Sequence, residues 1–196
     1  MNQFGRVVLG YHGCPLAKTD SVEFLRGLVA GTNKVADWKP SSNEYDWLGG
    51  GIYFWEYGPA RARQWAQQDG FVVGALIQLG RCFDLTDPGF EPVLKTTYDQ
   101  VLQSYEQQDK PLPDNQRQNG MMRQLDRLIL DQAMSFADAS VPESDQNNVA
   151  YQTVRCAFEE GKEAFPGSML RTQTHIQLAV RDLGCILGVF RPTFDV

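Results

Sequence analysis

The segment FVVGALIQLG at 71–80 sets the first limit on the fold, because an apolar run of this kind, bounded by glycines, reads as a strand. Other segments read the same way. RVVLGY at 6–11 forms a short buried strand that leads into His12-Gly13-Cys14-Pro15, a loop opener. Ile52-Tyr53-Phe54-Trp55 is β-branched and aromatic. Near the end, 153–158, 175–180 and 185–190 look β again. Between these lie helical patterns. Asp20 or Ser21 can cap a helix carrying Val22, Leu25, Leu28 and Val29, which Gly31 can end. Gly58-Pro59 opens another, with Ala60, Ala62, Trp65 and Ala66. Asp87-Pro88 starts a third, whose Phe90, Val93, Leu94, Tyr98, Val101, Leu102 and Tyr105 share a face. A polar break at 109–120 precedes a fourth, from Met121 to Ala137, and 138–148 is polar and irregular. Strand groups around a mainly helical stretch at about 87–138 predict an α+β fold, with 1–196 as one domain.

Charge and residue counts narrow the chemistry. Lys plus Arg number 18 against 24 Asp plus Glu, which disfavours a general nucleic-acid coat while leaving room for a local basic groove. No apolar run approaches the roughly 20 residues of a spanning helix. The N-terminus lacks the basic flank and apolar core of a secretion signal. A cytoplasmic protein with no membrane partner is the expectation. The four cysteines, Cys14, Cys82, Cys156 and Cys185, form no close pair and are expected as reduced, buried or semi-buried thiols. With only His12 and His175, any histidine chemistry must use one of these two, and no metal site is expected.

Three segments place polar or aromatic side chains on apolar strands. They are Tyr11-His12-Gly13, Gly49-Gly50-Gly51-Ile52-Tyr53-Phe54 and His175-Ile176-Gln177-Leu178-Ala179-Val180. Period-two alternation in the last puts His175, Gln177 and Ala179 on one face and Ile176, Leu178 and Val180 on the other. A glutamine on an interior strand is costly unless it finds partners. The set resembles the ADP-ribosyltransferase fold, in the branch of diphtheria toxin and the poly(ADP-ribose) polymerases. That pattern has a histidine in a Tyr/Phe-His-Gly segment, a tyrosine in Gly-x-Gly-Ile-Tyr-Phe, and usually a late glutamate.

The resemblance implies an ADP-ribosyltransferase-like split β-sandwich with a helical insertion, and NAD+ as co-substrate without a metal. It implies that His12 bonds the adenosine ribose, that the Gly13 backbone holds the nicotinamide amide, and that Tyr53 stacks on nicotinamide. Gln177 would bond the nicotinamide-ribose 2′-hydroxyl; it stands where glutamate is usual and brings neither negative charge nor a base. That favours transfer of one unit over chain extension. At the spacing of the family's second stacking aromatic stands Gln64, with Trp65 beside it as the candidate. Cys14 occupies a spot often held by Ser or Thr. The expected activity is mono-ADP-ribosyl transfer to a macromolecule, protein favoured over nucleic acid, of toxin-like type with a neutralising antitoxin as partner. The alternatives are an NAD+ glycohydrolase and a non-catalytic NAD or ADP-ribose-binding module. Trp47 reads as a lid or as core. Arg61 and Arg63 read as a solvated helix face rather than pyrophosphate ligands. The loop 161–174, with Phe165 and Arg171, is expected to choose the acceptor.

Overall fold

A computed structural model describes residues 5–41, 43, 46–116, 122–142 and 149–193. Ser42, Tyr45 and Met121, and parts of the stretches 109–120 and 138–148, lie outside the described residues. The chain runs β1 (Val7–Cys14), α1 (Thr19–Ala30), β2 (Ile52–Glu56), α2 (Pro59–Ala66), β3 (Phe71–Gln78) and β4 (Cys82–Asp84). Then follow α3 (Glu91–Gln107), the two-residue strands β5 (Asn115–Gln116) and β6 (Met122–Arg123), and α4 (Gln124–Asp138). The last strands are β7 (Thr153–Phe158), β8 (His175–Val180) and β9 (Ile186–Phe190). Seven strands form one mixed open sheet in the order β4-β7-β8-β2-β1-β3-β9, with only β4 and β7 parallel. The fold is α+β.

Several boundaries differ from the sequence reading. His12, Gly13 and Cys14 belong to β1 rather than to a loop, because pairing with β3 continues as far as Cys14↔Phe71. Helix α1 starts at Thr19 with no side-chain cap, so Asp20 sits in its first turn. Gly31 ends it in the left-handed region, as expected. Asp87 caps a short 3₁₀ turn at Pro88–Phe90 before α3 begins. Of the face expected on α3, Val101 is buried while Val93 and Tyr98 are exposed. Strand β4 has no counterpart in the sequence reading, since three residues carry too little periodicity to mark a strand.

The alternation in β8 is carried through the whole sheet. Leu178 and Val180 join Ile52, Phe54, Val73 and Ile77 in the core beneath α1, whose Val22, Leu25 and Leu28 close it. On the opposite face Ala179 packs with Phe83, Val154 and Phe158 under Leu130, Ala133 and Met134 of α4. The same face carries a separate cluster under α2, built from Trp55, Ala62, Ala66 and Val72 with Tyr11. Gln177 stands between these two clusters, opposite Trp55 on β2 and Cys156 on β7. The sheet is weakest at its centre. β1 and β2 share only the pairs Gly10↔Glu56 and Tyr11↔Trp55; beyond them β1 stays with β3 and β2 stays with β8.

Helix α2 lies close on β1. A Cβ built at Gly13 would stand 2.1 Å from the Ala62 carbonyl oxygen, so this position admits no side chain without displacing helix backbone. Gly13→Ala is expected to cost about 1–3 kcal/mol, the usual range for overpacking. Urea unfolding reads this as a lowered midpoint at unchanged slope; a wild-type midpoint would contradict the packing described.

Candidate functional site

Where β1 and β2 part, a cleft of about 690 Å³ opens and passes from one face of the sheet to the other. His12, Gly13, Tyr53, Trp65 and Gln177, the five residues singled out in the sequence, all line it. His12 bridges the gap, with Nδ1 2.8 Å from the Tyr53 carbonyl oxygen. A carbonyl only accepts, so Nδ1 carries the proton and donates. Burial lowers the pKa of His12, the bond to Tyr53 opposes this, and Lys18 adds to the lowering. The ring is therefore neutral near pH 7, and Nε2 presents a lone pair that can accept a hydroxyl proton. Trp38 and Phe54 hold the ring edge-on, at centroid distances of 5.2 and 5.9 Å.

The parting of the strands also exposes backbone. The Leu9 carbonyl accepts from Tyr57 N–H on the β2 side, and main-chain groups two residues apart point the same way. The N–H and C=O of Gly13 are thus directed toward the opening, where β2 no longer lies alongside. A carboxamide, which is both donor and acceptor, matches such a strand edge.

Tyr53 spends its hydroxyl within the protein. Its oxygen accepts from Leu48 N–H at 2.9 Å and donates to the Gly49 carbonyl at 2.7 Å. Burial raises its pKa, assisted by Asp46 and Asp131. The residue is not a proton donor for chemistry; what it offers the cleft is a ring. Gly49, at φ +78°, makes the left-handed turn that carries the chain into β2. The wall beyond Tyr53 is fixed by α4 and by the end of β6 just before it. Arg127 Nη1 donates to the Asn43 carbonyl at 2.5 Å. Arg123 lies over the rings of Trp47 and Phe158, 4.7 and 4.8 Å from their centroids. Trp47 lines the cleft with its Nε1 unpartnered among the described residues. Asp46 accepts from Asn43 N–H and is buried. The helical stretch at 87–138, which no motif explained, thus buttresses one wall of the site.

On the α2 side, the Gln177 side chain lines the cleft with no hydrogen-bond partner among the described residues. Trp55, 7% exposed, has an unpartnered Nε1 there too. An orphaned buried donor costs about 1–3 kcal/mol, which a ligand acceptor would recover. Trp65 is 49% exposed, at a centroid distance of 5.9 Å from Trp55. Arg61 corrects the sequence reading: it is not on a solvated face but lines the cleft, its Nη2 3.0 Å from Glu160 Oε2. The reason is position, since its turn of α2 faces the end of β7. Arg63 is exposed and donates to the carbonyls of Gln68 and Gly70. Sequence reasoning missed Glu160, Asp46, Lys18 and Lys39, all in the lining. None belongs to a motif, and only the fold brings them together.

Cys14 is buried, lines the cleft and, like Cys82, Cys156 and Cys185, is a free thiol. Among the described residues no group of three His, Cys, Asp or Glu could hold a metal ion, and no helix is long and apolar enough to cross a membrane.

Both histidines carry pKa values lowered chiefly by burial from the ordinary 6.5. The native state thus prefers them neutral. Their contribution to stability is complete above pH 6.5 and is lost as pH falls through their folded values. The thermal midpoint of the wild type is expected to fall progressively below about pH 6.5, and less steeply in His12→Asn; an identical slope in the variant would contradict burial of a neutral His12. Compared with known proteins, the chain matches no protein-family model, no curated protein and no solved structure.

Proposed function

We propose that the cleft binds NAD+ and that the protein is a mono-ADP-ribosyltransferase, releasing nicotinamide as it transfers ADP-ribose to a macromolecule. The observation that carries this reading is the convergence of His12, Tyr53 and Gln177 on one cleft at the point where the central strands separate. The opening in the sheet is what a split β-sandwich of the ADP-ribosyltransferase type requires, and the helices at 87–138 are its insertion.

In this reading the parts divide the dinucleotide. His12 Nε2 accepts a hydroxyl of the adenosine ribose. Lys18 and Lys39, both in the lining, are the cations that face the pyrophosphate. The Gly13 backbone takes the carboxamide, and the Tyr53 ring, its hydroxyl already committed, lies against nicotinamide. Trp65 covers the other side of that ring. The Gln177 amide bonds the 2′-hydroxyl of the reacting ribose. Breaking the C1′–nicotinamide bond passes through an oxocarbenium-like state, and a dry aromatic slot that fixes the ribose favours it.

The acceptor meets the loop after β7. Ala164 N–H bonds the Leu170 carbonyl and Thr172 N–H the Lys162 carbonyl, each at 3.0 Å, so the loop is a hairpin rather than a slack tether. Its tip exposes Phe165, Met169 and Leu170, apolar surface of the kind protein contacts use. Protein is therefore favoured over nucleic acid as acceptor, in a cytoplasmic setting, with an antitoxin as the partner that a toxin of this kind requires.

Incubation with isotopically labelled NAD+ and a total protein and RNA extract, followed by mass spectrometry, tests the reading. Label is expected on protein with stoichiometric nicotinamide release. Free ADP-ribose alone would identify a glycohydrolase, and binding without turnover a binding module. Trp65→Ala is expected to weaken NAD+ binding by about 0.5–1.5 kcal/mol, roughly 2- to 12-fold, the worth of one stacking contact; calorimetry with unchanged affinity would remove Trp65 from the site. Phe165→Ala with Arg171→Ala is expected to diminish acceptor labelling while nicotinamide release continues, whereas equal loss of both would contradict a role in acceptor choice.

A further inference from the structure

We propose that Glu160 supplies the carboxylate that position 177 lacks, serving as the base that takes the proton of an N–H or O–H acceptor as it attacks the ribose. This rests on the ADP-ribosyl-transfer reading of the cleft.

The placement of Glu160 follows from β7. Phe158 pairs with His175, and two residues later the Glu160 side chain returns to the face that carries His175 and Gln177. Glu160 lines the cleft with its side chain 13% exposed. Its Oε2 lies 3.0 Å from Arg61 Nη2 and 3.9 Å from His175 Nδ1. Its own carbonyl accepts Gln173 N–H at 3.0 Å, closing the base of the acceptor hairpin. The carboxylate is therefore held at the junction between the Gln177 end of the cleft and the loop that meets the acceptor. His175 and Gln177 are one strand repeat apart, about 7 Å.

One oxygen is committed and the other is open. Oε2 takes Arg61, while Oε1 has no hydrogen-bond partner among the described residues. His175 does not neutralise the group. Its Nδ1 proton is donated to the Gln173 carbonyl at 2.6 Å, and burial keeps its pKa low, so the ring is uncharged near pH 7. Arg61 is fixed in turn, with Nη1 3.0 Å from Gln64 Oε1 and its guanidinium over the Trp55 ring at 5.9 Å. The pair is a clamp that aims Oε1. Asp46, the buried carboxylate across the cleft, is engaged by Asn43 N–H and belongs to the turn beneath Tyr53.

The step balances without a further reactant. The C1′–nicotinamide bond breaks and its electron pair leaves with the ring, which becomes neutral. A lone pair of the acceptor forms the new bond to C1′. The acceptor's proton passes to Glu160 Oε1 and from there to water. An acceptor that must lose a proton, such as a hydroxyl, an amide or a guanidine, needs this base; a thiolate or carboxylate does not. The acceptor class is thereby narrowed to neutral or cationic N–H and O–H groups.

The test uses the full chain as wild type, Glu160→Gln, Gln177→Glu and the double variant. NAD+ affinity, nicotinamide release, acceptor labelling and thermal midpoint are measured for each. Glu160→Gln is expected to keep NAD+ affinity within about twofold while lowering kcat by roughly 10²- to 10⁴-fold, the usual worth of a general base. Adding Gln177→Glu is expected to restore at least tenfold of that loss, because a carboxylate returns to the same end of the cleft. If Glu160→Gln does not fold, Glu160→Asp is read instead and is expected to lower kcat at unchanged KM. Wild-type turnover in Glu160→Gln would overturn this inference and leave the transferase reading standing. So would loss of NAD+ affinity and thermal midpoint together without rescue, which would make the ion pair with Arg61 structural. A wild type that neither binds nor turns over NAD+ would overturn both.

Discussion

The hydrogen bond from His12 Nδ1 to the Tyr53 carbonyl holds together the place where the sheet comes apart. Two strands that separate leave main-chain donors and acceptors unpaired, and in a protein interior each such group costs about 1–3 kcal/mol. Here the imidazole takes the role of the missing strand neighbour on the β2 side. The same bond fixes the tautomer and leaves the Nε2 lone pair to the cleft. One side chain thus stabilises the opening and equips it.

Around that bond the walls are assembled from elements far apart in the chain. Helix α1 and Trp38 close the side nearest His12. Arg123, at the end of β6, covers Trp47, Arg127 of helix α4 holds the Asn43 carbonyl, and the Tyr53 hydroxyl ties the turn at 46–49 from below. Helix α2 brings Arg61 and Trp65 against the remaining side, at a distance that only glycine at position 13 allows. Gln177 forms the floor between two apolar clusters that the sheet keeps separate. The cleft is a consequence of the packing: β2 contributes most of its length, and the rest of the lining comes from elements scattered along the chain.

How much of this was legible in the sequence depended on range. The alternation of 175–180 placed Gln177 on the correct face, because strand periodicity is local and the segment is buried on both sides. The glycine-rich approach to Tyr53 is equally plain in the sequence, and in the structure Gly49 makes the left-handed turn into β2. His12 reads as loop in the sequence because Gly13 and Pro15 after it are local turn signals, while the β3 partner that extends the strand lies some sixty residues away. Arg61 and Glu160 could not be matched from sequence at all. Each looks like ordinary surface charge, and only the return of β7 beside α2 makes them a pair. The helical stretch at 87–138 showed its faces but not what they pack on, since no local pattern names the partner of an amphipathic helix.

The central claim is that the gap between β1 and β2 is a nicotinamide slot. A crystal structure of the full chain with a non-hydrolysable carbocyclic NAD+ analogue tests it most directly. The nicotinamide ring is expected face to face with Tyr53, its carboxamide on the Gly13 backbone and the adenosine ribose beside His12. An analogue bound elsewhere on the molecule, or a cleft left empty at saturating analogue, would contradict it.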